Sequence, residues 1–163
     1  MNIRLAQISD AENLSALLAE VWKSAYQGIF PQAFLDEITP NKWVEGFRHT
    51  LTQNISAIFV YEINNQIVGM ISAGKARDTE LNIPFEIYAL NISPHFQRQH
   101  IGKALMQYVF TYFELKNNQV YLKVAEQNIN ARTFYEKLGF INTEIIAERQ
   151  IEAFTFRELI YKK

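Results

Sequence analysis

Apolar and polar residues recur along the chain at two spacings, which predict strands and helices. Period-two alternation and β-forming residues predict strands at residues 2–7, 56–63, 66–76, 85–92, 119–125, 140–147 and 153–161. Apolar residues three and four positions apart predict helices at residues 9–28, after residue 31, and at 39–53, 101–116 and 130–138. Because helices alternate with strands and hairpins, the predicted fold class is α/β, with a mixed central sheet flanked by helices on both faces.

Turn and cap residues set the ends of these elements. Ser9 and Glu12 fit a capping box before the first helix, and Thr39 with Pro40 forms an N-cap and first-turn pair before the third. No repeat, low-complexity tract or linker rich in Pro, Gly or Ser interrupts the pattern. The chain of 163 residues is therefore expected to form a single domain over residues 1–163.

Composition removes several classes of function. The net charge is -1, from 16 basic and 17 acidic residues, so no nucleic-acid partner is expected, since a broad nucleic-acid surface needs a basic excess. Cysteine is absent, which excludes disulfides, zinc–thiolate sites and thiol nucleophiles. The histidines fit no metal pattern, so no metal is expected. With no signal peptide and no apolar run of membrane length visible, the expected location is cytoplasmic, without membrane association.

One polar segment, residues 93–105, joins a predicted strand to a predicted helix. It reads SPHFQRQHIGKAL, with basic and polar side chains gathered where the helix begins. Unpaired N–H groups and the helix dipole make such a junction an anion site, most often for a phosphate. The phosphate loop of ATPases is excluded, because Ala104 stands where that loop has Ser or Thr and Gln97 where it has its first Gly. A dinucleotide loop is excluded because no three glycines cluster.

Three motifs in this half of the chain resemble the GCN5-related N-acetyltransferase (GNAT) superfamily. The segment is similar to the family's Q/R-x-x-G-x-G/A loop, with Gln97 and Gly102 in place and His100 where the family has its first Gly. Residues 86–94, EIYALNISP, look like the family's fourth strand, and residues 128–140, NINARTFYEKLGF, are similar to its N-x-x-A-x-x-F-Y-E-K-L-G-F stretch. The resemblance implies the GNAT acyl-CoA N-acyltransferase fold.

The resemblance also implies where acetyl-CoA, the cosubstrate, binds. Backbone amides of the loop would hold the pyrophosphate, and main-chain groups of Leu90 and Ile92 would hold the pantetheine arm. Asn128 would contact the CoA arm, and it is also a plain candidate to cap the helix that follows. The implied cofactor-binding residues are Leu90, Asn91, Ile92, Gln97, Arg98, Gln99, His100, Ile101, Gly102, Lys103, Ala104, Asn128, Ala131 and Tyr135.

For catalysis the resemblance implies two side chains. Tyr135 would protonate the leaving CoA thiolate, and Glu86 would accept the acceptor's proton through water, because an ammonium has no lone pair with which to attack. Each has a plainer interpretation, which is core packing for Tyr135 and a substrate-orienting or surface role for Glu86. Likewise, Arg98 and Lys103 either attract the phosphates or stay solvated. The amide near Leu90 would polarise the thioester carbonyl.

The expected function is therefore transfer of an acetyl group from acetyl-CoA to a primary amine by direct attack. The acceptor is a small-molecule amine or an amine of a protein or peptide, and a homodimer is compatible with the family. The alternative is a non-catalytic acyl-CoA-binding sensor or regulatory module. A third interpretation is a structural α/β domain in which His100 has ended CoA binding.

Overall fold

The computed structural model describes residues 2–163 as one seven-stranded mixed sheet with helices on both faces, and the predicted fold class is confirmed. The strands are β1 (Ile3–Leu5), β2 (Ala57–Ile63), β3 (Gln66–Lys75), β4 (Phe85–Ile92), β5 (Val120–Ala125), β6 (Ile141–Ile151) and β7 (Phe154–Lys162). The helices are α1 (Ala11–Ala25), α2 (Gln32–Asp36), α3 (Val44–Gln53), α4 (Ile101–Tyr112) and α5 (Ile129–Lys137). The strand order is β1-β2-β3-β4-β5-β7-β6, and only β4 and β5 pair in parallel.

Period-two alternation divides the core between the two faces of the sheet. On the first face, here called the α4 face, α4 and α5 cover a cluster that includes Phe59, Leu105 and Leu122. On the second, the α1 face, α1 and α3 pack on Ile58 and Val60, the two neighbours of Phe59 in β2. On the same α1 face, an aromatic cluster around α2 packs against the turn end of the β6–β7 hairpin. Its rings are Trp22, Tyr26, Phe30, Phe34, Trp43, Phe154 and Phe156.

Several predicted ends differ from those observed. A 3-10 turn (Ile8–Asp10) precedes α1, and the Asp10 carboxylate accepts the Gln7 N–H at 2.7 Å, so the capping box expected at Ser9 was wrong. Helix α3 begins at Val44 instead of residue 39, because the preceding residues form turns. Strand β6 runs to Ile151, four residues past the predicted end, because the polar residues 148–150 continue the pairing with β7 although they do not alternate with apolar ones.

The sheet opens between β4 and β5. Their parallel pairing consists of three residue pairs and ends at Ile87 and Leu122. A register shift between Ser72 and Ala73 leaves Tyr88 of β4 without a partner in β3. A bulge of this kind changes the local twist of a strand and is frequent beside active sites. Beyond it β4 stays paired with β3 and β5 with β7, so a gap separates the C-terminal ends of the two parallel strands.

The N-terminal corner of the sheet is held by a partly buried ion pair that provides a test of stability. The Arg4 guanidinium contacts both Asp10 oxygens, at 2.7 and 3.0 Å, and Glu62 at 2.6 Å. These hydrogen bonds from Arg4 lower the pKa of Asp10. A carboxyl group whose pKa is lower in the folded state adds stability above its unfolded pKa and loses it as the pH falls.

We therefore expect Asp10→Asn to lower the free energy of unfolding by about 1–2 kcal/mol at neutral pH. The wild type should lose this advantage as the pH falls through and below the ordinary carboxyl range, about pH 4. Urea unfolding at several pH values measures both quantities. Asp36→Asn, at an exposed helix position, is the control and should change neither. Equal pH slopes in wild type and D10N would contradict the expectation.

Candidate active site

Main-chain groups of β4 face the gap with no strand opposite them. The Ser93 N–H donates to the Val68 carbonyl of β3 at 2.9 Å, so every second residue before it, Asn91 and Ala89, also directs its main chain toward β3. By the same alternation Leu90 and Ile92 direct their N–H and C=O groups into the gap. Among the described residues, the strand geometry therefore leaves both main-chain groups of Leu90 and the N–H of Ile92 unpaired by a strand, whereas the Ile92 carbonyl accepts a hydrogen bond from the Gln97 side chain.

A run of unpaired N–H groups lies at the mouth of this gap. Within residues 2–163, the backbone N–H groups of residues 97 to 103 donate to no backbone carbonyl, and the first helical bond of α4 joins the Ala104 N–H to the His100 carbonyl at 2.9 Å. The Gln97 side chain folds back and donates to the Ile92 carbonyl at 3.3 Å. Unpaired N–H groups at the start of a twelve-residue helix form a site suited to an anion.

The loop takes a left-handed turn where the family has its first Gly. His100 has φ 62° and Arg98 has φ 61°. Glycine adopts such angles without strain, whereas a residue with a Cβ is strained there by about 1–2 kcal/mol. His100 therefore keeps the backbone shape that a Gly would provide, with its side chain exposed.

Close packing joins the start of α4 to α5 beside the gap. A Cβ added to Gly102 would lie 3.1 Å from the Phe134 ring and 3.7 Å from the Leu90 side chain. Asn128 caps α5, since its side-chain oxygen accepts the Ala131 N–H at 3.1 Å. The predicted cofactor-binding residues of the loop, β4 and α5 thus surround one opening. The Ala104 side chain is an exception, because it lines a separate groove of about 640 Å³ beside β1 and β2.

Tyr135 lies in the core on the α4 face, with 8% of its surface exposed. No hydrogen bond from the described residues involves its hydroxyl group. Burial raises the pKa of Tyr135, and the neighbouring Tyr26 raises it further. The phenol therefore stays protonated at neutral pH, as a proton donor requires, although the same burial makes it a weaker acid.

Glu86 is fully engaged by other side chains and is only 1% exposed. Its Oε1 accepts from Arg77 Nη2 at 2.6 Å, while Oε2 accepts from the Tyr121 hydroxyl at 2.7 Å and from the Arg77 backbone N–H at 3.0 Å. Burial alone would raise the pKa of Glu86, but the hydrogen bonds from Arg77 and Tyr121 outweigh burial and lower it. The carboxylate thereby joins the β3–β4 connection to β5 immediately before the gap. Neither partner was expected from the sequence, because nothing in the polar loop distinguishes Arg77.

The α1 face of the gap carries residues that the sequence analysis passed over. Tyr26, directly after α1, packs against Phe30 with ring centroids 5.4 Å apart, and Phe30 in turn packs on Phe156 of β7, two residues before Glu158. A cavity of about 230 Å³ opens at the end of β5, between Ala125 and Phe156. Alternation along β7 alone would have marked Glu158 as a charged residue among apolar ones.

The described residues contain no group of three or more His, Cys, Asp or Glu side chains placed to hold a metal ion. Among residues 2–163, no helix combines the length and apolar character needed to cross a bilayer.

Comparison with known proteins identifies the family. The family model described as an acetyltransferase (GNAT) domain matches residues 18–156. A protein named "Probable N-acetyltransferase" from Mycobacterium tuberculosis is 30% identical over 142 residues, covering 86% of this chain and 79% of that protein. An uncharacterized N-acetyltransferase from Methanocaldococcus jannaschii is 25% identical over 130 residues, covering 78% of this chain but only 56% of that protein. The chain belongs to the GNAT family.

A solved structure agrees with the fold. The crystal structure of the PaiA N-acetyltransferase from Thermoplasma acidophilum, in complex with coenzyme A, superposes with a TM-score of 0.67. The two chains are 20% identical, and each is covered completely. The seven-stranded sheet with its gap is therefore the GNAT fold, as the resemblance implied.

The contacts of Glu86 lead to a stability prediction. Glu86→Gln should lower the free energy of unfolding by about 2–4 kcal/mol, because it removes the charge that Arg77 and Tyr121 hold in a buried place. Since the pKa of Glu86 is lowered in the folded state, wild-type stability from this group is present above the ordinary carboxyl range and is lost as the pH falls. Urea unfolding at neutral pH measures the difference.

Glu80→Gln is the matched control, because Glu80 lies in the same β3–β4 connection but its side chain is exposed. A loss of stability in E86Q no larger than that in E80Q would show that Glu86 does not hold the strands together.

Proposed function

We propose that the protein transfers an acetyl group from acetyl-CoA to a primary amine by direct attack. The observation that carries the proposal is the run of unpaired N–H groups at residues 97 to 103, placed at the mouth of a gap in the sheet. Such a run fits a pyrophosphate group, and the gap beside it fits an extended arm that pairs with strand main chain. The N-acetyltransferase names of the relatives support the same reaction.

Binding is assigned to main chain more than to side chains. The N–H groups of the loop would hold the pyrophosphate, while Arg98 and Lys103 would add charge attraction. Leu90 and Ile92 would hydrogen-bond the pantetheine arm along the open side of β4. Asn128 would contribute from the cap of α5. Its side-chain oxygen accepts the Ala131 N–H, and its side-chain nitrogen makes no hydrogen bond within residues 2–163. Ala131, one turn into α5, would contact the same arm.

The reaction needs a polarised carbonyl and a proton for the leaving group. The Leu90 N–H, directed into the gap, would donate to the thioester oxygen as charge develops there. The amine nitrogen forms the new C–N bond, the C–S bond breaks, and Tyr135 gives its hydroxyl proton to the departing sulfur. The acceptor enters as an ammonium and loses two protons: one passes to water before the attack, and the second leaves as the amide forms and returns through water to the Tyr135 phenolate.

The contacts of Glu86 do not favour a role as the catalytic base. Four hydrogen bonds from Arg77 and Tyr121 occupy its two oxygens. A carboxylate with a lowered pKa is also a weaker base. A role in holding β4 against β5 agrees better with these contacts than proton abstraction does. As a base acting through water, Glu86 stays a prediction, and an unaltered pH–rate profile in E86Q would remove it.

A non-catalytic acyl-CoA sensor is the rival function. It would use the same loop and gap but would have no need of a proton donor. The Tyr135 hydroxyl, which makes no hydrogen bond within residues 2–163, and the cavity at the end of β5 favour the enzyme. The first would protonate the leaving group and the second would receive an acceptor, and a sensor needs neither.

Calorimetry with acetyl-CoA followed by a thiol-release assay separates these functions. The amines tested should include a polyamine, an aminoglycoside, an amino-acid amide and a peptide with a free N-terminus. Binding with CoA release for one class supports the enzyme and names its acceptor class. Binding without release for any amine supports the sensor, whereas no binding removes both functions.

The position of Tyr135 generates a kinetic prediction. Tyr135→Phe should lower kcat by about 10²- to 10⁴-fold, which is the usual contribution of a general acid. The acetyl-CoA affinity should change little, because the ring and its packing remain. Tyr108→Phe, which removes a partly buried phenol on the α4 face away from the gap, is the control. Unchanged turnover in Y135F would remove Tyr135 as the acid.

The left-handed turn at His100 generates a binding prediction. His100→Gly should retain or tighten acetyl-CoA binding, because glycine adopts the observed φ of 62° without strain. His100→Val should weaken it by about tenfold, since a β-branched residue resists that angle. His49→Val, the same substitution at an exposed position of α3 whose φ is not positive, is the control. Equal calorimetric affinities for H100V and wild type would show that the loop does not depend on this turn.

A further inference from the structure

A buried carboxylate of β7 stands close to the gap on its α1 face. Glu158 pairs with Ala125, the last residue of β5, and its side chain is 9% exposed. Its neighbour Leu159 belongs to the core of the α4 face, so alternation directs Glu158 to the opposite face. Ala125 lies beyond Leu122, where the pairing of β5 with β4 ends, so the Glu158 carboxylate lies beside the gap.

Glu158 is only partly satisfied by the protein. Its Oε1 accepts from Arg149 Nη1 at 3.1 Å, and Arg149 itself is half exposed. Within residues 2–163, no hydrogen bond reaches its Oε2. Oε2 is not among the fully buried unpaired atoms, so solvent, or a ligand in its place, can reach it. This arrangement contrasts with Glu86, whose two oxygens are both occupied.

The opposite side of the gap shows a second unpaired polar group. Leu90 and Ile92 pack in the core of the α4 face, so Asn91 between them is directed to the α1 face. Its side-chain nitrogen is buried without a hydrogen-bond partner among the described residues. A buried donor left unpaired is destabilising and calls for an explanation. A polar ligand entering from this face would provide one.

Aromatic rings complete this side of the gap. The Tyr26 ring is 4.5 Å from Trp22 and 5.4 Å from Phe30. Phe156, two residues before Glu158 on the same face of β7, lies 5.2 Å from Phe30 and lines the cavity of about 230 Å³. Trp22, Tyr26 and Phe156 remain partly exposed. A carboxylate bordered by partly exposed rings suits a cation carried on an apolar group.

We propose that Glu158 binds the ammonium group of the acceptor and that the ring cluster of Trp22, Tyr26 and Phe156 binds its apolar part. The acceptor is then a primary amine on an aromatic or otherwise apolar group, presented to the thioester from the α1 face. This assignment rests on the proposed function, because it names the second substrate of the same gap. Glu158 replaces Glu86 as the carboxylate that meets the acceptor.

Binding of 2-phenylethylamine to the CoA-loaded full-length protein tests the assignment without requiring turnover. Calorimetry should give wild-type binding, with Glu158→Gln weakening the affinity about 10- to 100-fold through loss of a charge-assisted hydrogen bond. Glu158→Asp should restore part of the affinity, which a purely structural role would not predict. The neutral analogue 2-phenylethanol should bind the wild type at least about tenfold more weakly than the amine.

Asp10→Asn is the matched control, because Asp10 is also a buried carboxylate paired with an arginine, with a side chain 10% exposed, but lies at the far end of the sheet. It should leave amine affinity unchanged. Failure of the wild type to bind the amine, equal binding of the alcohol, or equal affinity in E158Q would each overturn the assignment. The affinity for CoA is measured first on the same sample, so that a failure of the proposed function is recognised separately. If CoA does not bind, the amine is titrated into the protein without CoA, and the same comparison of variants tests Glu158.

Discussion

The separation of β4 from β5 is the constraint on which the rest of the molecule depends. Three parallel pairs hold the strands together up to Ile87 and Leu122, and after that each follows a different neighbour. Main-chain groups left unpaired in this way are normally costly. The buried contacts of Glu86 with Arg77 and Tyr121 hold the strands together immediately before this point. The gap is therefore a fixed opening in an otherwise continuous sheet, and ligands can supply its missing hydrogen bonds.

Much of the fold was predictable because its elements are amphipathic. Strands and helices follow the periods of two and three to four that their faces require, and the pattern placed all seven strands. The ends were less predictable. Ser9 has the right chemistry for a cap, but Asp10 is drawn to Arg4 of β1 and caps an earlier turn. The full length of β6 was hidden because three consecutive polar residues, 148–150, follow the predicted end, and their pairing with β7 does not depend on alternation.

Some parts of the candidate site could likewise be predicted from the sequence and others could not. The loop at residues 97 to 103 and the cap at Asn128 were visible because their properties are local to the backbone. The surroundings of Glu86 were not, because Arg77 reaches it from an irregular connection nine residues away. Glu158 was passed over because its place at the edge of the gap depends on how β7 pairs with β5. Contacts across a sheet follow from register, and no short motif encodes them.

The two faces of the sheet have a kinetic consequence. The loop at residues 97 to 103 and Tyr135 belong to elements on the α4 face, whereas Tyr26 and Glu158 lie on the α1 face, and the gap in the sheet lies between the two groups. Two substrates that approach from opposite sides need not wait for one another to leave. Such an arrangement suits a ternary complex in which either substrate binds first, with double-reciprocal plots that intersect, and it provides no reason for an acetylated form of the protein to accumulate between them.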